Sequence, residues 1–182
     1  MSGSDARALP PAYRWLATVG PLPRMLRVAL ALYGTRETVG AGDNPVILAW
    51  AAEVGLAKTY RADAVPWCGL FLAVVAQRAG KPVPAAPLWA LSWGRFGVAA
   101  ERPMLGDVLT FTRPGGGHVA LYVGEDADTY HLLGGNQDDR VGFARIVKRR
   151  LRAVRRPEYR AQPESVAVRV LAAGGALSVD EV

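Results

Sequence analysis

The chain holds one cysteine and two histidines. The cysteine sits in the run Asp63-Ala64-Val65-Pro66-Trp67-Cys68-Gly69-Leu70-Phe71. Pro66 suits the first turn of a helix, where its missing N–H would have no partner in any case. Asp63 stands just upstream, where an N-cap or first-turn carboxylate belongs. Trp67, Leu70, Phe71, Val74 and Val75 recur at helical spacing, and Gly80 with Pro82 closes the run. Cys68 therefore falls in the first turn of a largely buried helix. The partial positive charge of that turn favours a thiolate, the nucleophilic form. His118 opens a strand directly after Gly115-Gly116-Gly117, whose small size lets another group approach the imidazole. A thiol at a helix start and an imidazole on a rigid strand are the parts of a Cys–His nucleophile and base. The spacing of the one Cys and two His fits no metal-ligand motif, and a lone Cys excludes a disulfide framework and a Cys-rich zinc site. No metal and no cofactor is expected.

These groups need elements to hold them. Residues 1–22, with four prolines around Tyr13-Arg14-Trp15-Leu16, read as an irregular arm or short helix. Pro23 to Tyr33 reads as a first helix ending near Gly34. Asp43 or Asn44 caps a second one that begins at Pro45 and ends at Gly55. The Cys68 helix is the third. Leu88 to Arg95 reads as a short helix with Trp89 and Trp93 facing the same way. From Pro103 the period changes to two. Gly106–Phe111, His118–Val123, Thr129–Leu133, Val141–Arg149 and Leu151–Arg155 read as strands, with loops at Gly115–Gly117 and Gly134–Asp139. Helices followed by an antiparallel meander make an α+β layout.

With 182 residues, 51% hydrophobic and 21% charged, the chain is globular and long enough for one core. Its net charge of +6 suggests an anionic partner. From Arg140 to Arg160 nine Arg or Lys face a single acid, Glu158. This run reads equally as the solvated face of strands or as an anion-binding surface. No recognition helix or aromatic RNA-binding strand accompanies it, so nucleic acid is not the expected partner. No apolar run approaches the ~18–20 residues of a membrane span. The first residues lack the basic-then-apolar layout of a signal peptide.

Several of these motifs occur together in a recognisable order. Asp63-x-x-Pro66-Trp67-Cys68-Gly69-x-Phe71 is followed by Trp93-Gly94, Pro103-x-x-Gly106-Asp107-Val108, Gly117-His118-Val119, Val123-Gly124 and Leu133-Gly134-Gly135-Asn136-Gln137. Over roughly Leu26 to Pro157 the chain resembles the papain-like NlpC and CHAP superfamily of cell-wall cysteine peptidases, closest to a phage-associated branch with a Gly-Gly-Asn-Gln motif. The resemblance implies a papain-like domain over 23–160, an N-terminal arm over 1–22 and a tail over 161–182. It implies a Cys68 nucleophile, a His118 base, and cleavage of a stem-peptide or amide bond of peptidoglycan, reached through a phage-like particle, a lysis pore or a secretion system. The same fold without activity, as a wall-binding or phage-tail structural module, is the alternative. The chain departs from the Asp-Cys-Ser-Gly-Phe usual in NlpC-type enzymes. The oxyanion hole is assigned to the Cys68 N–H, with a second donor unidentified. Trp67, Trp93 and Gln137 are the candidate substrate-binding residues, Trp93 as cleft wall or core rather than a sugar-stacking platform. Asp107 is expected to hold a turn through its side chain.

The group that orients His118 has two candidates. His131 matches the NlpC pattern and Asn136 the CHAP pattern. A register that sets His118 opposite His131 brings Gly124 against Glu125 and leaves no loop. A register that sets it opposite Asn136 pairs Gly124 with Tyr130 and leaves Glu125–Thr129 as an ordinary hairpin loop, unless a bulge shifts it by one. The second register favours Asn136.

Overall fold

The computed structural model describes residues 9–172, so the first residues of the expected arm and the last of the expected tail lie outside the described residues. Three α-helices come first: α1 (Arg24–Ala31), α2 (Pro45–Glu53) and α3 (Cys68–Arg78). Six strands follow: β1 (Val98–Ala99), β2 (Val108–Arg113), β3 (Gly116–Glu125), β4 (Thr129–Gly134), β5 (Gly142–Val147) and β6 (Leu151–Arg156). Helices packed on an antiparallel sheet make the α+β layout that the change of period predicts.

Local chemistry explains most helix boundaries. The Asn44 side chain accepts the Val46 N–H at 2.8 Å and caps α2, with Pro45 in its first turn. α3 starts at Cys68, two residues after Pro66, and stops before Gly80, which takes φ +67°. Asp63 is not its cap. The N-cap position is Trp67, which offers no side-chain acceptor. Asp63 instead reaches upstream, where its Oδ2 accepts the N–H groups of Thr38 at 2.9 Å and Asn44 at 2.7 Å. An acid three residues before a Pro-led helix resembles a cap in sequence, but the loop that claims it is remote in the chain.

β2 to β5 form the expected meander, and the turn between β2 and β3 is the pair Pro114-Gly115 rather than the glycine run, since Arg113 already pairs with Gly116. β6 departs from a simple meander. It returns to pair with β2, and the short β1 pairs with its outer edge, giving the order β1-β6-β2-β3-β4-β5. Only the 3-10 turn Lys148–Arg150 joins β5 to β6. In a flat sheet those strands would lie four spacings apart, about 19 Å. The link spans at most about 14 Å even when extended. The sheet must therefore curl until β5 and β6 approach each other.

The curl gives the sheet an inner and an outer face. Leu109, Phe111, Ala120, Tyr122, Tyr130, Leu132, Ile146 and Val154 fill the inside as one buried cluster. The alternate residues Val119, Leu121, Val123 and Leu133 face outward and join the core that holds α3, with α1 and α2 behind it. α3 is buried along nearly its whole length. The segment expected as a short helix is a 3-10 turn, Ala90–Arg95. Its two tryptophans do not face the same way: Trp93 is fully buried and Trp89 is 62% exposed. At 3-10 pitch a four-residue separation no longer returns to one face. The arm contributes a 3-10 turn, Pro11–Ala17, with Tyr13 and Leu16 buried. The tail is tied on by Ser165 Oγ, which donates to the Pro21 carbonyl, and by backbone hydrogen bonds of Arg169 and Leu171 with Glu125.

Candidate active site

Cys68 is the first residue of α3, and no acidic side chain stands in that first turn. The positive end of the helix is thus left uncompensated at the thiol. Gly69 lets the backbone carbonyls of Pro87 and Leu88 press onto the turn, where any Cβ would collide with them. Trp67 is fully buried, and its indole N–H donates to Glu37 Oε1 at 2.6 Å. Cys68 itself is 3% exposed.

β3 and β4 set the level of the sheet at which α3 begins. Leu121 pairs with Leu133 and Tyr122 with Leu132. The pairing with β3 stops at Leu133, and Gly135 and Asn136 lie in the turn after β4. Gly135 lies directly under the helix start: a Cβ there would be 2.5 Å from Phe71 Cβ and 2.8 Å from the Trp67 ring. Cys68, between those two residues in sequence, therefore begins its helix above the turn that follows β4. Leu121 and Tyr122 keep the register that leaves a hairpin loop, but Gly124 pairs with His131 and not with Tyr130 as expected. A bulge between Tyr122 and Gly124 shifts the turn end by one residue, so that Glu125 pairs with Tyr130 and the loop shortens.

His118 is the third residue of β3, pairs with Phe111 and is buried. By alternation it belongs to the inner face, at the rim of the curled sheet. Burial foremost, then the charges of Arg113 and Arg150, hold its pKa down to about 3. The imidazole is thus neutral, the form that accepts a proton. Asn136 is half-buried and takes φ +53°, followed by Asp138 at +57° and Asp139 at +54°. Asn and Asp tolerate this left-handed region better than other non-glycine residues. Between them Gln137 is buried, and its amide donates to the Gly142 carbonyl at 3.2 Å.

His131 lies on the outer face with a different set of partners. Its ring nitrogens meet Tyr13 Oη at 2.9 Å and Asp126 Oδ2 at 3.0 Å. Asp126 also accepts from the Thr129 hydroxyl, from the backbone N–H groups of Asp128 and Thr129, and from Arg145. Burial pushes the Asp126 carboxyl up, but these hydrogen bonds outweigh it and hold the pKa below the ordinary range. Burial, more than any other influence, also lowers the pKa of His131, so its ring is neutral. Asp126 then accepts from Nε2–H, and Nδ1 accepts from the Tyr13 hydroxyl. Nothing in the sequence pattern joins Tyr13 of the arm to this cluster.

Trp67, Trp93 and Gln137 all turn their side chains inward. The Trp93 indole N–H donates to the Pro87 carbonyl at 3.0 Å. What does open to solvent beside Trp67 is a cleft of about 470 Å³, lined by Arg36, Glu37, Asp63, Asp138 and Asp139 among others. Asp107 holds the turn at Met104, as expected, and binds Arg156 through both carboxylate oxygens, at 3.0 and 2.8 Å. The Arg-rich run is largely internal fastening. Arg155 donates to the carbonyls of Phe96 and Gly97, Arg145 to Asp126, and Arg150 to Thr112.

Among the described residues no group of three or more His, Cys, Asp or Glu is arranged to hold a metal ion, and no helix is long and apolar enough to cross a membrane. No protein-family model, curated protein or solved structure matches the chain.

Proposed function

We propose that the protein is a papain-like thiol hydrolase that cuts a stem-peptide or amide bond of bacterial peptidoglycan. The observation that supports this reading is Cys68 at the uncompensated positive end of α3, in a fold whose buried, neutral His118 can serve as the base. The substrate class follows from the motif resemblance and agrees with the net charge of +6.

In this mechanism His118 takes the Cys68 proton and the thiolate attacks the carbonyl carbon. The Cys68 N–H stabilises the developing oxyanion. The carbon–nitrogen bond breaks as the imidazolium protonates the departing amine. Water, deprotonated by His118, then releases the acid from the thioester. Asn136 orients the imidazole.

A second reading, a wall-binding or phage-tail module of the same fold without activity, draws on the burial of both Cys68 and His118. Two measurements separate them. Purified peptidoglycan is digested and its fragments identified by mass spectrometry, and the thiol is probed with iodoacetamide. The hydrolase releases defined fragments, loses that activity in Cys68→Ala with the fold retained, is indifferent to a chelator, and is alkylated at Cys68. An inert thiol with no fragments released establishes the second reading.

A further inference from the structure

The rim of the curled sheet that carries His118 is also the meeting point of two arginines. Arg113 closes β2 two residues beyond Phe111, the direct partner of His118, and so lies on the same face of the sheet. Arg150 arrives from the link that closes the curl. Its Nε donates to the Thr112 carbonyl at 2.9 Å, which fixes the guanidinium beside the same strand end. The two arginines belong to separate elements, and both are close enough to act electrostatically on His118.

Neither guanidinium has a carboxylate partner among the described residues. Elsewhere the fold does supply such partners: Arg78 has Glu53, Arg140 has Asp138, Arg145 has Asp126 and Arg156 has Asp107. Arg150 also buries its Nη2 with no acceptor among the described residues. A buried guanidinium N–H without an acceptor is costly, and a planar carboxylate is the group that two such forks fit.

We propose that Arg113 and Arg150 form an oxyanion subsite beside His118 that takes a carboxylate of the peptide substrate. The identity of the ligand rests on the thiol-hydrolase reading; the existence of the subsite does not. The bound carboxylate would offset the two positive charges that add to burial in keeping the imidazole neutral, and so make His118 a stronger base when substrate is in place.

The test uses the full chain carrying Cys68→Ala, with ¹⁵N-labelled histidine. The ring resonances of His118 are followed by NMR during titration with N-acetylglutamate, with its diamide, and with inorganic phosphate. His131, on the other face, is the internal reference. N-acetylglutamate shifts the His118 signals saturably and the diamide does not. Arg113→Gln and Arg150→Gln each weaken that binding about tenfold or more, whereas Arg149→Gln leaves it unchanged. Arg113 makes no side-chain hydrogen bond among the described residues, so its replacement keeps the test open if Arg150→Gln fails to fold. Absence of any anion-induced shift, or a shift that survives both replacements, overturns the subsite. Phosphate binding tighter than N-acetylglutamate overturns the carboxylate assignment. Wall digestion by the unmodified protein reports on the hydrolase reading separately, since Arg-dependent binding without digestion removes that reading and leaves the subsite standing.

Discussion

His131 and Asp126 share a 3.0 Å hydrogen bond on the outer face of the sheet, and Arg145 grips the same carboxylate oxygen at 2.7 Å. Tyr13 completes the cluster from the far end of the chain. This chain of bonds locks the N-terminal arm to β4 and β5.

Asp126→Asn should destabilise the fold by about 3–5 kcal/mol, because Arg145 would remain half-buried beside an uncharged partner. The loss should depend on pH. A carboxyl with a depressed folded pKa contributes stability above its unfolded pKa, near 4, and loses it as pH falls through the folded value. The gap in unfolding free energy between wild type and variant is therefore full at neutral pH and narrows below about pH 4. Urea melts across that range measure it, and a gap of constant size down to pH 2 would refute the assignment.

Asn136 and His131 should separate function from stability. Asn136→Ala lowers kcat on peptidoglycan by about 100-fold or more if it orients His118, and costs only about 1 kcal/mol of stability, because Ala takes φ +53° less readily than Asn. His131→Ala removes two buried hydrogen bonds and costs about 2–4 kcal/mol of stability, with kcat per folded molecule retained. Turnover and melting are measured on the same preparations. A fall in kcat confined to His131→Ala reverses the roles.

Gly135→Ala should loosen the start of α3. The added methyl would meet Phe71 and the Trp67 ring far inside van der Waals contact. Overpacking of this kind costs about 1–3 kcal/mol, a fall of roughly 2–10 °C in Tm for a chain this size. Because Trp67 and Phe71 bracket Cys68, alkylation of the thiol should quicken as well. Gly116→Ala, where nothing lies within 4 Å of the new carbon, is the control that leaves both unchanged. Equal effects from the two would argue against a packing origin.

The sequence carried the strands and the register well, for physical reasons. Alternation from Val108 to Tyr122 is local, and hairpin geometry allows few pairings. The pairing of Leu121 with Leu133 follows from that pattern, whereas the bulge that sets Gly124 against His131 does not. The position of β6 could not. It depends on a short link that forces curvature, and no residue in β6 announces its partner. Asp63 and the arginines of β6 were ambiguous in the same way. A carboxylate or a guanidinium marks a hydrogen bond to come, but the backbone groups that claim it, at Thr38, Asn44, Phe96 and Gly97, lie far along the chain. Trp89 and Trp93 show the limit of periodicity in a segment too short to declare its pitch. Arg113 and Arg150 look like any other surface cations until the missing carboxylates around them are counted.

The three-residue link that curls the sheet also sets an order of assembly. The hairpins β2–β3, β3–β4 and β4–β5 each join neighbours in sequence and close short loops. β6 pairs with β2, the first strand of the meander, and so joins residues forty or more positions apart. This closure therefore carries a larger loop cost than any of the hairpins, and it brings Arg150 to Thr112. A chain emerging from the ribosome would carry its helices and open meander first, and would gain the His118 rim only as the final strand inserts.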